Sequence, residues 1–340
     1  EVLEDYLKAF PDSVLANNLA SAIQFQLNSE AQAQDVLKRL QKNFEGADLA
    51  SQYDTLAHNE CVYNGGETAL KVIPPLVDIF AEAKLNLVIY HMKQGNLQDA
   101  YQLVSDLEPR NPREYALKGV VCAAFGQEKD NRDILLQAQH DFQTVGTSST
   151  ECDTIMGRQC LASYFFLKER FEDVVLYLRT IKEFNMEDDA FHWNFGIGLA
   201  SQDKFEEAEE HLSIIKDEGL RDEYLFNAWL ARCYIQNGKP EAAWNLYLEM
   251  NTSNETLNLL TLIGNECYEK EYFYYSLKAF EILERLNDEE DYFNQKLGAC
   301  IGVFRNLLIN KNSQEELEEA VEILRSMPNE LAVEKSLQII

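Results

Sequence analysis

The side chains that could support catalysis do not occur at the spacings that catalytic motifs require. The chain contains no GxxxxGK(S/T) phosphate loop, no HExxH zinc motif and no GxSxG nucleophile turn. The glycines of Gly196–Gly198 fall inside a predicted helix, which argues against a phosphate-cradling loop. His192 and His211 fall on the two helices of one predicted unit, as either a metal-binding pair or partly exposed helix residues. We therefore predict no catalytic residue, no metal and no cofactor in this chain.

The seven cysteines are scattered through the chain and include no CxxC pair, which disfavours a zinc ribbon. Their odd number and the length of the chain also disfavour a disulfide framework. Cys233 and Cys267 fall on the packed face of predicted helices, where they would act as small core residues. Reduced thiols in a cytosolic compartment fit these observations best.

The net charge disfavours several classes of partner. The 340 residues carry 30 Lys and Arg against 58 Asp and Glu, which gives a formal net charge of −28. Binding to nucleic acids or anionic membranes needs clustered Lys and Arg, and the sequence has no such basic run. Residues 186–222 hold eleven acidic and three basic residues, which form either a solvated helical face or a docking surface for a basic partner. We expect neither nucleic-acid binding nor membrane insertion.

The strongest pattern is an internal repeat with a step of 34 residues. Three slots keep this step, at Val174, Ala208, Ala242 and Ser276, at Ala162, Gly196, Leu230, Gly264 and Gly298, and at Leu178, Leu212, Leu246 and Phe280. Small residues at such spacing mark where two helices approach closely, and large apolar residues fill the space beside them. One helix pair cannot bury its apolar face alone, so neighbouring pairs must stack.

This period and slot pattern resemble the tetratricopeptide repeat. We predict an all-α fold, a right-handed tetratricopeptide-repeat superhelix of the α-solenoid class. The predicted segments are the second helix of a truncated repeat in residues 1–13, irregularly spaced repeats in 14–114, a longer degenerate repeat in 115–154, four regular 34-residue repeats in 155–290, and a degenerate repeat with an insertion in 291–340. Because the first segment lacks its first helix, we expect this sequence to be a piece of a longer polypeptide.

The first helices of such repeats line an inner groove that receives peptides or partner helices. By repeat phase, Phe166, Tyr234 and Tyr268 occupy one equivalent position in that groove. Aromatic residues there suit partner recognition, and packing between repeats is the alternative role. Together with an aromatic run further along, they make the predicted partner contacts Phe166, Tyr234, Tyr268, Tyr274 and Tyr275.

The generic repeat does not fix the residues between its slots, and here those residues resemble the sequences of one family. The segments that carry this resemblance include GGETALKVIPPLVD from Gly65, WLARCYIQNGKPEAAWNLYLEM from Trp229 and FYYSLKAFEILERL from Phe273. They are similar to the C-terminal part of the intraflagellar transport protein 56 family, over nearly the whole chain. The resemblance implies a non-enzymatic subunit of intraflagellar transport complex B. It also implies contact with the core of that complex, with its forty-six-kilodalton subunit as the first candidate partner.

The sequence thus predicts a scaffold and adaptor that binds other complex B subunits and ciliary motility cargo. The resemblance implies a location in the cilium or flagellum and in the cytoplasm near the basal body. One alternative is a tetratricopeptide scaffold of another cytosolic complex, in vesicle trafficking or cell-cycle assembly. Another is an enzyme whose catalytic domain lies outside these 340 residues.

Overall fold

The computed structural model describes residues 2–27, 30–43, 54–250, 253–286, 292–309, 312–327 and 333–335. These residues form helices and turns without a strand, so the predicted all-α class is confirmed. Over the same ranges, no helix combines the length and the apolarity needed to cross a membrane. The chain divides into two compact units, Glu1–Leu167 and Lys168–Ile340. The boundaries of the predicted repeat segments stay predictions, and the one between residues 290 and 291 lies outside the described residues.

The first unit consists of helices joined mostly by short turns. Its α-helices are α1 (Val2–Ala9), α2 (Val14–Gln26), α3 (Glu30–Asn43), α4 (Asp54–Tyr63), α5 (Ala69–Val72), α6 (Ala81–Lys93), α7 (Leu97–Ser105), α8 (Pro112–Glu128), α9 (Arg132–Gly146) and α10 (Ile155–Phe166). A 3₁₀ turn at Pro74–Leu76 precedes α6.

The second unit has the same local organisation. Its α-helices are α11 (Phe171–Arg179), α12 (Asp189–Ala200), α13 (Phe205–Ile214), α14 (Glu218–Arg221), α15 (Tyr224–Gln236), α16 (Pro240–Glu249), α17 (Asn254–Glu269), α18 (Phe273–Leu286), α19 (Phe293–Leu308) and α20 (Gln314–Ser326). A 3₁₀ turn at Lys182–Phe184 follows α11.

Side-chain caps determine where several of these helices begin. Asn111 accepts the backbone N–H of Glu114 at 3.1 Å and precedes Pro112, whose fixed φ suits the first helical position. At α20, Ser313 Oγ accepts the Glu316 N–H at 3.2 Å, and the Glu316 carboxylate accepts the Ser313 N–H at 2.7 Å. Such caps satisfy N–H groups that the first turn of a helix leaves without helical partners. These starts are therefore encoded locally in the sequence.

Within helix pairs, the chain reverses through a turn that contains one residue at positive φ. These residues, with φ between 48° and 77°, are Gly95, Asp130, Glu169, Asp203, Gly238 and Glu271. Each stands two residues before the next helix begins. In most of the turns, the following residue donates its N–H to the carbonyl five residues earlier, as Lys239 does to Tyr234 at 2.8 Å. This hydrogen bond closes the first helix and sets the start of the second.

After five of these six turns, the fourth residue of the following helix is small or β-branched and at most 2% exposed; these residues are Ala100, Val174, Ala208, Ala243 and Ser276. The exception follows the Asp130 turn, where the fourth residue of α9 is the partly buried Leu135. Small residues also occur on the preceding helix: the Ser276 hydroxyl donates to the Gly264 carbonyl at 2.8 Å. A Cβ on Gly196 would lie 2.8 Å from the Leu212 side chain, closer than real side chains approach. The helices of a pair therefore pack at a distance that only small residues allow.

A buried pair of histidines joins the two helices α12 and α13. His192 and His211 are 0% and 4% exposed, and their Nδ1 atoms lie 2.7 Å apart. His192 Nε2 lies 3.0 Å from the carbonyl oxygen of Met186, which can only accept a hydrogen bond. His192 therefore carries its proton on Nε2, and its Nδ1 accepts the N–H of His211. Both histidines are core residues rather than the partly exposed residues that the sequence suggested.

The histidine pair makes folding sensitive to acid. Burial lowers the pKa of His211 to about 4, and the charges of Lys182, His192 and Arg179 act in the same direction. The folded chain then binds fewer protons than the unfolded chain, whose histidines titrate near 6.5. The contribution to stability is complete above pH 6.5 and is lost as the pH falls toward 4. We expect this loss to reach about 3 kcal/mol.

The test compares urea unfolding of the wild type and His211→Asn across this pH range. Asparagine keeps an N–H donor for His192 and has no titrating ring, so the unfolding free energy of the variant should fall less steeply. Parallel curves for the two proteins would show that the pair does not cause the acid sensitivity.

The positive-φ turns give a second stability prediction. Gly95 has φ of +72°, and a Cβ there would meet no heavy atom within 4 Å. Gly95→Ala should therefore lose only backbone energy, about 1–2 kcal/mol of unfolding free energy. Chemical denaturation measures the change, with the exposed Lys93→Ala on the preceding helix as the control. An unchanged midpoint in Gly95→Ala would contradict this account of the turn.

Candidate interaction surface

In the part of the chain that the structure describes, chemistry-bearing side chains are used for packing. No three His, Cys, Asp or Glu side chains in those ranges come together as a metal site. Burial raises the pKa of several thiols, to about 11 for Cys122 and about 12 for Cys160, Cys233, Cys267 and Cys300. Such thiols stay protonated at neutral pH and are poor nucleophiles. The full burial of Cys233 and Cys267 confirms their predicted place in the core.

The predicted aromatic contacts of the first helices lie at the surface, but they also pack. Phe166 ends α10 in the first unit and is 38% exposed. Tyr234 in α15 is partly buried, and Tyr268 in α17 is 40% exposed. The Tyr268 ring packs edge-on against Phe273 at a centroid distance of 5.3 Å, and its hydroxyl occupies the space beside Gly298. Tyr268 therefore contributes to packing between repeats, and partner binding by all three aromatic residues stays a prediction.

Tyr274 and Tyr275 lie instead on the second helix of their pair, α18, where they make contacts within the chain. Tyr274 donates its hydroxyl to the Glu319 carboxylate of α20 at 2.5 Å. Lys278 Nζ stands over the rings of Tyr274 and Trp244, 5.0 and 5.2 Å from their centroids. Tyr275 lies 6.4 Å from the Trp244 ring. Burial, followed by the hydrogen bond to Glu319, raises the pKa of Tyr274, so it stays a neutral donor linking two helices.

Most of the predicted packing residues lie inside the fold. Those that are buried are Ala162, Gly196, Ala208, Gly264 and Ser276. Gly298 is partly exposed, and a Cβ there would lie 2.5 Å from the Tyr268 hydroxyl oxygen. This glycine therefore leaves room for the tyrosine of the preceding helix pair.

Ala242 is the exception, because the prediction places the close contact one residue too early. Ala242 is partly exposed, and Ala243 is fully buried in its place. The positive-φ residues Asp203 and Gly238 stand 35 residues apart instead of 34, and α16 begins at Pro240. Proline lacks an N–H and has a fixed φ, so it suits the first position of a helix. Pro240 was the signal in the sequence that could have revealed the shift.

The sequence did not reveal a cavity of about 280 Å³ where α13, α15 and α16 meet. Its apolar wall is formed by Leu212, Ile215, Phe226, Leu230 and Leu246. Two of the predicted residues, Tyr234 and Ala242, also line it. The structure thus places Tyr234, a predicted partner contact, beside Ala242, which the longer turn moves out of the close helix contact.

Some acidic residues of 186–222 form hydrogen bonds within the chain, and others form a solvated surface. Glu209 accepts a hydrogen bond from Lys239 Nζ at 2.6 Å. The carboxylate of Asp189 accepts the backbone N–H groups of residues 216 and 217 at 2.9 and 2.7 Å. Other acidic side chains of this segment are exposed, and they include Glu187, Glu206, Glu210, Glu218 and Asp222. They give this part of the second unit a negative surface, and its use for docking stays a prediction.

Sequence comparison identifies the relatives of the chain. The sequence profile of the family described as intraflagellar transport protein 56 matches residues 1–340. A protein of Caenorhabditis elegans described as an intraflagellar transport protein 56 homolog is 32% identical over 346 residues, which cover 96% of this chain. The chain spans 60% of the length of that relative.

Similar solved structures include two tetratricopeptide repeat proteins, both at low TM-score. One from Parabacteroides merdae is 15% identical with a TM-score of 0.36, over 83% of this chain and 96% of that one. The C-terminal part of a repeat-containing protein from Cytophaga hutchinsonii is 14% identical with a TM-score of 0.30, over 93% and 98%. The family match extends over the whole sequence, as the segments between the repeat slots predicted. The chain belongs to the intraflagellar transport protein 56 family.

Proposed function

We propose that this chain is a non-enzymatic scaffold and adaptor of intraflagellar transport complex B. The observation that supports the proposal most directly is the family match over all 340 residues. The chain binds other subunits of the complex, with the forty-six-kilodalton subunit as the first partner, and carries ciliary motility cargo. It acts in the cilium or flagellum and in the cytoplasm around the basal body.

The mechanism of such a scaffold is binding alone. The buried thiols and the hydrogen-bonded histidine pair belong to the core, so we assign the proposed binding to the surface of the described residues. The half-exposed aromatic residues supply apolar anchors, and the net charge of −28 favours partners with basic surfaces.

Co-purification of the full-length protein with the complex B core tests this proposal. The forty-six-kilodalton subunit serves as bait, and the wild type should comigrate with it in size exclusion. Phe166→Ala and Tyr234→Ala should each weaken this association by about tenfold, because each removes an aromatic anchor. Phe184→Ala is the control, since Phe184 is 72% exposed and lies outside the predicted contacts. Failure of the full-length wild type to comigrate would contradict the scaffold role.

A further inference from the structure

The cavity between α13, α15 and α16 differs from a packing defect in its position and in its lining. It lies among α13, α15 and α16, and the polar residues Arg221, Asn245 and Glu249 line it together with the apolar wall. Leu212 and Leu230 are 0% and 4% exposed, so part of the wall belongs to the core. An apolar recess with a few polar groups is the usual form of a binding pocket.

We infer that this cavity receives one large apolar side chain from a basic segment of another protein. The inference rests on the proposed scaffold function and specifies the chemistry of one partner. The volume of the cavity, about 280 Å³, is just below the roughly 300–1,000 Å³ of pockets that enclose drug-sized molecules. A single leucine, methionine or phenylalanine side chain suits such a space, and filling it would restore the dispersion contacts that the wall lacks.

The surroundings of the cavity favour a protein segment over a free small molecule. Three exposed apolar residues each stand next in sequence to a residue that lines it: Ile214, Leu225 and Leu248, at 44%, 57% and 61% exposed. They leave apolar surface exposed on the same three helices, which the residues flanking an anchor can cover. Interfaces commonly place one well-buried anchor within a ring of weaker contacts that exclude water.

The charge around the cavity determines which charge the partner segment should carry. Residues 216–223 hold four acidic and two basic side chains, the bases being Lys216 and Arg221, and Glu249 adds a fifth carboxylate. Asp222, Glu223 and Glu249 are exposed. Lysine and arginine residues on both sides of the apolar anchor would therefore be attracted to the mouth, and acidic flanks would be repelled.

The origin of the cavity gives a reason for its location. The turn before α16 is one residue longer than the 34-residue step, and this places Ala243 rather than Ala242 in the close contact with the preceding helix. Ala242 then faces the cavity beside Tyr234.

The test uses the full-length protein and a fluorescein-labelled peptide with one central phenylalanine between two runs of three lysine or arginine residues. Companion peptides carry a central alanine or glutamate flanks. Fluorescence polarisation measures affinity, and methyl NMR signals of Leu230 and Leu246 report where the peptide binds. We expect the basic phenylalanine peptide to bind and to shift both methyl signals, with affinity at least about tenfold higher than that of either companion.

Two kinds of variant locate the site. Ala242→Phe fills the cavity and should lower the affinity by about tenfold or more, whereas Ala190→Phe adds the same ring at an exposed position outside it. A double variant, Asp222→Lys with Glu249→Lys, reverses charge at the mouth without entering the core and should weaken binding and its salt dependence. Glu187→Lys is its control. Thermal melting verifies that each variant is folded.

The inference is overturned if the phenylalanine peptide does not bind at about 1 mM, or if the alanine peptide binds equally well. It is also overturned if Ala242→Phe folds and retains full affinity for the peptide. If Ala242→Phe does not fold, full affinity in the double charge variant overturns the inference instead. Incorporation into complex B is measured separately. If the peptide binds as expected but the full-length protein does not join the complex, the scaffold function fails while the pocket stands.

Discussion

Six helix pairs in the described part of the chain depend on one turn residue with a positive φ. That residue ends the first helix, and the next N–H closes a bond to the carbonyl five residues back. Gly95 and Gly238 adopt this conformation at little cost, whereas Asp130 and Glu271 adopt it with a Cβ, at about 1 kcal/mol or more each. Packing of the pair must offset that cost. The turn matters because it sets where the second helix begins, and hence which side chain becomes the buried fourth residue.

The spacing between helices follows from that fourth residue. Ala208, Ala243 and Ser276 are fully buried, and on the helices before Ala208 and Ser276 the glycines Gly196 and Gly264 leave no room for a side chain. A one-residue change in the turn therefore rotates the whole following helix relative to its neighbours. At α16 this change exposes Ala242 to a cavity. The regular repeats thus build the core, and the irregular one adds a cavity beside Ala242.

Polar and reactive side chains serve mainly to connect helices. His192 and His211 form a hydrogen bond between two helices, and His192 also bonds to the Met186 carbonyl. Tyr274 links α18 to α20 through its hydrogen bond to Glu319. Burial keeps the core thiols protonated. This use of potentially reactive groups in packing agrees with membership of a family of transport subunits. The interior thus holds the repeats together, and the exposed acidic and aromatic side chains are the groups to which the proposed binding function is assigned.

The sequence by itself determined the helical class, the 34-residue step, the buried small residues such as Ala208 and Ser276, and the family. These features are local or periodic, so they can be read from residue types and spacing. Only the tertiary structure decided that Ala243 replaces Ala242 in the close helix contact, that the two histidines are joined by a hydrogen bond, and that a cavity lies beside Tyr234. Those outcomes depend on a rotation of about 100° per residue, so a single extra residue in a turn changes which side chains meet.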